Sequence, residues 1–329
     1  MRVATFNLEN LGSRLGSPKD FEQRLNILRP QMERLDADIL CLQEINATRT
    51  GSAEGRRLIA LEKLVEGTVY ENFDCISTVN PASGYPADRH NLALLSRWPI
   101  KSHAQHLHSL VLPPVHTLVT QDPPGGPSRA LSWDRPILHA RIATPDRSGL
   151  NVINLHLKAP LAAAIAGQKV SQFAWKTASG WAEGYYIAAI KRAGQALEAR
   201  LLIDRLFDED RNARILVAGD FNAEEREVPM RMIAADLEDT ANGQLAERTL
   251  VALEHSLPDS RRYSVIHRGR KSMMDHLMVS RALLAAYEGI EIHNEALGDE
   301  LVAYAAVDDS PESYHAPVVA TFGIPPGPA

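Results

Sequence analysis

Apolar runs in this sequence repeatedly stop at, or start from, residues able to bind metal or move protons. Asn7 and Glu9 end the run from Val3 to Leu8, Glu44 ends Ile39-Leu-Cys-Leu-Gln-Glu, and His156 closes Val152-Ile-Asn-Leu-His. Asp220 and Asn222 follow Ile215-Leu-Val-Ala-Gly, Asp275 and His276 precede Leu277 to Val279, and His315 precedes Ala316 to Ala320. Each has an ordinary explanation alone: a solvated Glu after a strand, a satisfied buried imidazole, a Gly-Asp-Phe-Asn turn. Together they are harder to dismiss. Antiparallel neighbours bring the end of one strand beside the start of the next, so these groups are expected on one rim of a sheet assembly.

The chemistry that fits is hydrolysis of a phosphate ester. Mg²⁺ or Mn²⁺ takes carboxylate oxygens and keeps several waters, so one or two acids hold it, and Glu44 is the leading ligand. Asp220, with the Asn222 amide two residues on, suits activation of the attacking water. His315, kept protonated by Asp275, suits the charge that develops on phosphorus oxygens. His156 and Asn7 complete the pocket. The sequence holds no GxxxxGK[ST] phosphate loop and no Cys/His zinc spacing, so nucleotide-switch and structural-zinc readings lack support.

Positioning these groups requires strands. Alternation and apolar content predict them at 3–8, 38–45, 73–79, 92–98, 137–144, 151–157, 214–220, 276–280 and 317–322, several apolar on both alternating sets and so covered on both faces. Leu25, Leu28, Met32 and Leu35 mark an amphipathic helix that Pro30 is expected to kink or split. A second helix is expected over about 185–207. Two segments read as insertions: a Pro/Gly-rich loop at 110–136, and 159–184, which carries Lys169, Phe173, Trp175, Lys176 and Trp181. Residues 324–329 read as a frayed tail.

The chain has 329 residues, 45% hydrophobic and 23% charged, the balance of a globular enzyme with a large core. No apolar run approaches the ~20 residues of a membrane span, and Asn7, Glu9 and Asn10 follow the first residues too soon for a signal-peptide core, so a cytoplasmic place is expected. Cys41 lies within an apolar run, where a reduced buried thiol is expected. With 35 basic against 41 acidic residues the formal net charge is −6, so any nucleic-acid contact must come from a local basic patch.

Seven segments in order resemble the endonuclease/exonuclease/phosphatase superfamily: Thr5-Phe-Asn-Leu-Glu-Asn, Asp38-Ile-Leu-Cys-Leu-Gln-Glu, Leu92-Ala-Leu-Leu-Ser-Arg-Trp-Pro-Ile, Asn154-Leu-His-Leu-Lys, Gly219-Asp-Phe-Asn-Ala, Met274-Asp-His-Leu-Met-Val-Ser and His315-Ala-Pro-Val. The resemblance implies an α/β four-layer sandwich of two packed mixed sheets flanked by helices, one domain over 1–323 with both insertions inside it. It implies Glu44 as metal ligand and Asn7 as the asparagine near the metal. Asp220 would activate water and Asn222 orient it, Asp275 and His315 would pair, and His156 would stand near the scissile phosphate. The family usually reads Ser-Asp-His where this chain has Ser313-Tyr314-His315, so one carboxylate near the metal is missing, with Asp308, Asp309 or Glu312 as substitutes.

The first reading is a phosphodiesterase acting on DNA or RNA, with Trp175, Trp181, Tyr185 and Tyr186 stacking on bases and Lys169, Lys176, Lys191 and Arg192 near phosphates. Packing of those aromatics onto the core is the equal alternative. A phosphomonoesterase or phospholipid-cleaving enzyme of the same superfamily is the second reading, and a non-catalytic scaffold the third. No obligate protein partner is inferred.

Overall fold

Period-two alternation decides which side chains of this chain meet between its layers. A computed structural model describes residues 1–12, 18–51, 55–171, 174–301 and 311–324. Its first sheet is built from β1 (Arg2–Leu11), β2 (Ile39–Ile45), β3 (Asp74–Ser77) and β4 (Asn91–Ser96), with β11 (Tyr287–Ile292) and β12 (Val318–Phe322) added late in the chain, in the order β11-β12-β1-β2-β4-β3. The second contains β5 (Ile100–His106), β6 (Ile137–Ile142), β7 (Leu150–His156), β8 (Ile215–Asp220), β9 (Leu250–Ala252) and β10 (Asp275–Ser280), in the order β9-β10-β8-β7-β6-β5. Each sheet has one parallel pair at its centre, β1 with β2 and β7 with β8, and antiparallel neighbours on either side.

One core cluster fills the space between the sheets, with Val3, Ile39, Cys41, Leu92 and Leu94 from the first facing Leu138, Val152, Leu216, Ala218 and Leu277 from the second. The alternate residues face outward. Ala4, Phe6, Leu40, Leu42 and Leu95 pack on α1 (Pro18–Leu35) and α2 (Ile59–Val65), while Ile153, Leu155, Ile215, Val217 and Met278 pack on α3 (Ala178–Glu209) and α4 (Val228–Ala234). Four layers result, as the doubly apolar strands require. Cys41 is a free thiol buried in the inner cluster.

All nine expected strands are present. β5, β9 and β11 lie outside that expectation. β5 is a sheet edge whose residues stay largely exposed, and in the edge strand β11 the buried alternation is confined to Ile290 and Ile292, too short to read. Pro30 neither splits nor ends its helix: α1 runs continuously from Pro18 to Leu35. Leu25, Leu28, Met32 and Leu35 are fully buried on one face, whereas Pro30 and Asn26 lie on the exposed one, where water can serve the carbonyl that the proline leaves unpaired. α3 begins seven residues earlier than expected, so the end of segment 159–184 is helix, capped by Thr177 Oγ1 accepting the Gly180 N–H at 2.9 Å.

The Pro-rich segment is tied to α3 by two buried carboxylates. Glu198 accepts the His108 and Leu110 N–H groups at 3.2 and 3.1 Å and Trp133 Nε1–H at 2.7 Å. Glu183 accepts from the Val119 and Thr120 N–H groups at 2.7 and 2.8 Å and pairs with His116 Nε2 at 2.8 Å. Phe173, Asp308, Asp309 and all of the expected tail except Ile324 lie outside the described residues. Among the described residues, no helix is long and apolar enough to cross a membrane.

Candidate active site

On the strands that carry the site, the inward positions run apolar, then polar toward one end. β1 turns Val3, Thr5 and Asn7 inward, β7 turns Val152, Asn154 and His156, β8 turns Leu216, Ala218 and Asp220, and β10 turns Val279, Leu277 and Asp275. Register does the rest: His156 sits opposite Asp220, and Asp220 opposite Asp275, in one row across three strands. Behind that row Gln43 Nε2 donates to Asn154 Oδ1 at 2.8 Å, and Asn154 Nδ2 donates to the Leu42 and Ala93 carbonyls at 3.1 and 2.9 Å, tying the sheets together. Gly219 is required on backbone grounds, since its φ is +142° and a Cβ there would lie 1.9 Å from the Leu155 carbonyl oxygen.

Strict alternation would send Glu44 outward with Leu42. Instead the β2–β4 register shifts between Leu42 and Ile45, and Glu44 takes a φ of 60°. That irregularity re-aims the carboxylate at the rim, as bulges beside active sites do. Its Oε1 accepts from Asn7 Nδ2 at 3.4 Å and its Oε2 accepts the Asn10 N–H at 3.0 Å. Asn7 spends its Oδ1 on the Glu9 N–H at 2.9 Å, one of the two lone pairs that oxygen has.

Asp220 is the centre of the arrangement. Its Oδ2 accepts from Asn7 Nδ2 at 3.0 Å and from Asn222 Nδ2 at 3.2 Å, with His156 Nε2 at 3.4 Å and His315 Nε2 at 4.0 Å. Its Oδ1 accepts the Asn222 N–H at 2.8 Å. Burial and then the charge of Asp275 push the Asp220 carboxyl up to about 7. His315 Nδ1 stands 2.8 Å from Asp275 Oδ2. Burial works against the imidazolium, but the Asp275 charge and hydrogen bond, then Asp220, outweigh it and push His315 up to about 10. Burial, reinforced by the Arg135 charge, holds His156 well below the usual histidine range, so it is neutral. Asn7, Glu44, His156, Asp220, Asn222, Asp275 and His315 are thus brought to one rim from both sheets.

With this geometry a family model for the endonuclease/exonuclease/phosphatase family matches residues 4–299. The chain belongs to that family. The endonuclease/exonuclease/phosphatase family is one of phosphoesterases, and the two packed six-stranded sheets are its fold. Similar solved structures include the 3′ phosphatase NExo from Neisseria bound to product DNA hairpin, at 18% identity and TM-score 0.53 over 98% of this chain and 99% of that one. An AP endonuclease from Archaeoglobus fulgidus matches at 16% and 0.53 over 98% and 100%. A mannosyl-6-phosphatase from Bacteroides thetaiotaomicron matches at 16% and 0.57 over 98% of both chains. Identities this low show the shared fold. No curated protein sequence matches the chain.

Two further residues stand at this family member's rim and are not among the expected ones. His90, just before β4, places Nδ1 3.7 Å from Glu44 Oε2. Arg135, from the end of the Pro-rich segment, donates through Nη2 to His90 Nδ1 at 3.3 Å, and its Nε is buried without a partner. Only the position of Arg135 before Pro136 and β6 hints at it. His276 belongs to the other face of β10: its Nε2 donates to the Ala223 carbonyl at 2.9 Å and its Nδ1 pairs with buried Glu254. Tyr314 is buried, and its N–H donates to Glu9 Oε2 at 2.8 Å. Of the named substitutes for the missing carboxylate, Glu312 alone falls among the described residues, and it is exposed.

Proposed function

We propose that this chain is a divalent-metal-dependent phosphodiesterase, foremost a nuclease, in which Asp220 activates water. The observation that carries the reading is the Asp220 carboxylate, buried and held by Asn7 and Asn222 from opposite sheets while its pKa is pushed up to about 7, where a general base works best. The donor set also fits a cation: Glu44, Asp220 and Asp275 crowd one rim, and Asp275 Oδ1 is buried without a hydrogen-bond partner. Glu44 and Asn7 would hold Mg²⁺ or Mn²⁺, which when bound polarises phosphoryl oxygen and offsets its charge.

The chain's own groups do the rest. Asn222 and Asn7 fix the Asp220 carboxylate, which takes the proton of the attacking water. His315, charged and propped by Asp275, donates to oxygens that gain charge, and His156 Nε2–H faces the same space. A scaffold without catalysis would gain nothing from burying two acids side by side at this cost.

The second reading, a phosphomonoesterase, is favoured by one observation. The cations expected to meet phosphates are engaged: Lys176 with Asp122 at 2.6 Å, Lys191 with Asp134 at 2.6 Å, Arg192 with the Asn222 carbonyl at 3.0 Å, and Lys169 over the Trp175 ring at 4.3 Å. Trp181, Tyr185 and Tyr186 remain exposed, with Trp181 stacked on Tyr185, which keeps base stacking within the nuclease reading. Turnover of plasmid DNA, RNA, a chromogenic phosphate bis-ester and a mono-ester, each with Mg²⁺ or Mn²⁺ and with chelator, tests it. Chelator-sensitive cleavage of nucleic acid and bis-ester is expected. Cleavage of the mono-ester alone selects the second reading, and no hydrolysis with any metal overturns both.

A further inference from the structure

Beside the carboxylate row lies a different set of donors. Glu44 presents Oε2 to His90 Nδ1 at 3.7 Å and Oε1 to His156 Nε2 at 3.6 Å, and the three ligand atoms all lie within 4.8 Å of one another. Donors bound to one cation at about 2.1 Å are roughly 3.0–3.5 Å apart, so a small closure suffices. The geometry points to a second cation site at Glu44, His90 and His156, one that takes a divalent ion of the Zn²⁺ class in preference to Mg²⁺ and inhibits hydrolysis by doing so.

Two imidazoles with one carboxylate are the donors of an open zinc site with a water in the fourth position, whereas Mg²⁺ prefers oxygen throughout. The backbone is built for this convergence. His90 holds a φ of 57° and Glu44 one of 60°, conformations costly for such side chains, and each is pinned. The His90 N–H donates to Asn46 Oδ1 at 2.9 Å, and the next residue, Asn91, clamps the turn through Nδ2 to the Ile45 and Ala87 carbonyls at 2.9 and 2.8 Å. His156 Nδ1 is buried without a hydrogen-bond partner, so no bond fixes the tautomer of the ring whose Nε2 faces Glu44. The present occupant of His90 Nδ1 is the Arg135 guanidinium, which an arriving cation displaces.

Occupancy takes Glu44 from the hydrolytic cation and His156 from the substrate. That inhibition rests on the proposed function, but the binding does not. The test uses His90→Asn, since asparagine tolerates the left-handed backbone, with His90→Gln as a second variant. Zn²⁺ is titrated by calorimetry, and Co²⁺ by its visible absorption, into the whole chain in saturating Mg²⁺. Expected are one Zn²⁺ per wild-type chain, Co²⁺ bands of a nitrogen-containing site, and about 10–100-fold weaker binding in both variants. Measured against each protein's own Mg²⁺-supported rate without Zn²⁺, the Zn²⁺ concentration that halves hydrolysis rises by the same factor in the variants. Absence of Zn²⁺ binding to wild type, or equal binding by the variants, overturns the proposal. Should the wild-type chain hydrolyse nothing, the proposed function falls while the titration still decides this site.

Discussion

Asn7 Nδ2 lies 3.0 Å from Asp220 Oδ2, joining residues 213 positions apart, one within β1 and one at the end of β8, central parallel strands of the two sheets. The bond makes the rim a joint between the two sheets, and any account of catalysis has to pass through it.

Rate should follow two ionisations. Asp220 must lose its proton, at about 7, and His315 must keep its own, up to about 10. The pH profile of kcat/KM at saturating cation is therefore expected to rise through neutrality and fall only toward pH 10, a bound cation drawing the first limb lower. A fall below pH 8 would remove the imidazolium from the reaction.

Asp220 also has a stability signature. Its folded value of about 7 stands above its ordinary 3.8, so the folded state holds this proton more tightly than the unfolded one. Its contribution is fully present below pH 3.8 and is lost as pH rises toward 7. Asp220→Asn should abolish hydrolysis yet stabilise the metal-free fold at pH 8 by on the order of a few kcal/mol, seen as a higher melting temperature, with the gain vanishing near pH 4. Calorimetric melts at the two pH values check it, and a lower melting temperature at pH 8 would contradict the burial argument.

His315→Ala should lower kcat by about 10²–10³, the loss typical of one donor to developing charge. Steady-state kinetics, with circular dichroism to verify folding, measure it. A wild-type rate would leave His315 only a structural partner of Asp275.

Glu198→Ala should loosen the Pro-rich segment, because it strips the acceptor from two backbone N–H groups and the Trp133 indole. A cost of about 2–4 kcal/mol and faster amide exchange at 108–133 are expected. Unchanged exchange there would show that apolar packing holds the segment.

The strand ends were legible because one pattern encodes both layers: Val152, Asn154 and His156 share the inward face, and the switch from apolar to polar along it marks the rim. Glu44 was legible only as a strand end, since its inward aim depends on a backbone irregularity that composition does not reveal. His90 precedes the apolar run of β4 and Arg135 that of β6, but their aim at the rim depends on the tertiary packing of connecting segments, which the local sequence does not encode. β5 is hard to read because this edge strand carries polar residues on both faces, and β11 because its apolar alternation is confined to Ile290 and Ile292.

The most direct test of the central claim is a crystal grown with Mn²⁺ and measured for anomalous scattering. The account predicts a peak within about 2.5 Å of a Glu44 oxygen, beside Asn7 and the Asp220 row. A Mn²⁺ peak on another face of the molecule, with none at Glu44, would contradict it.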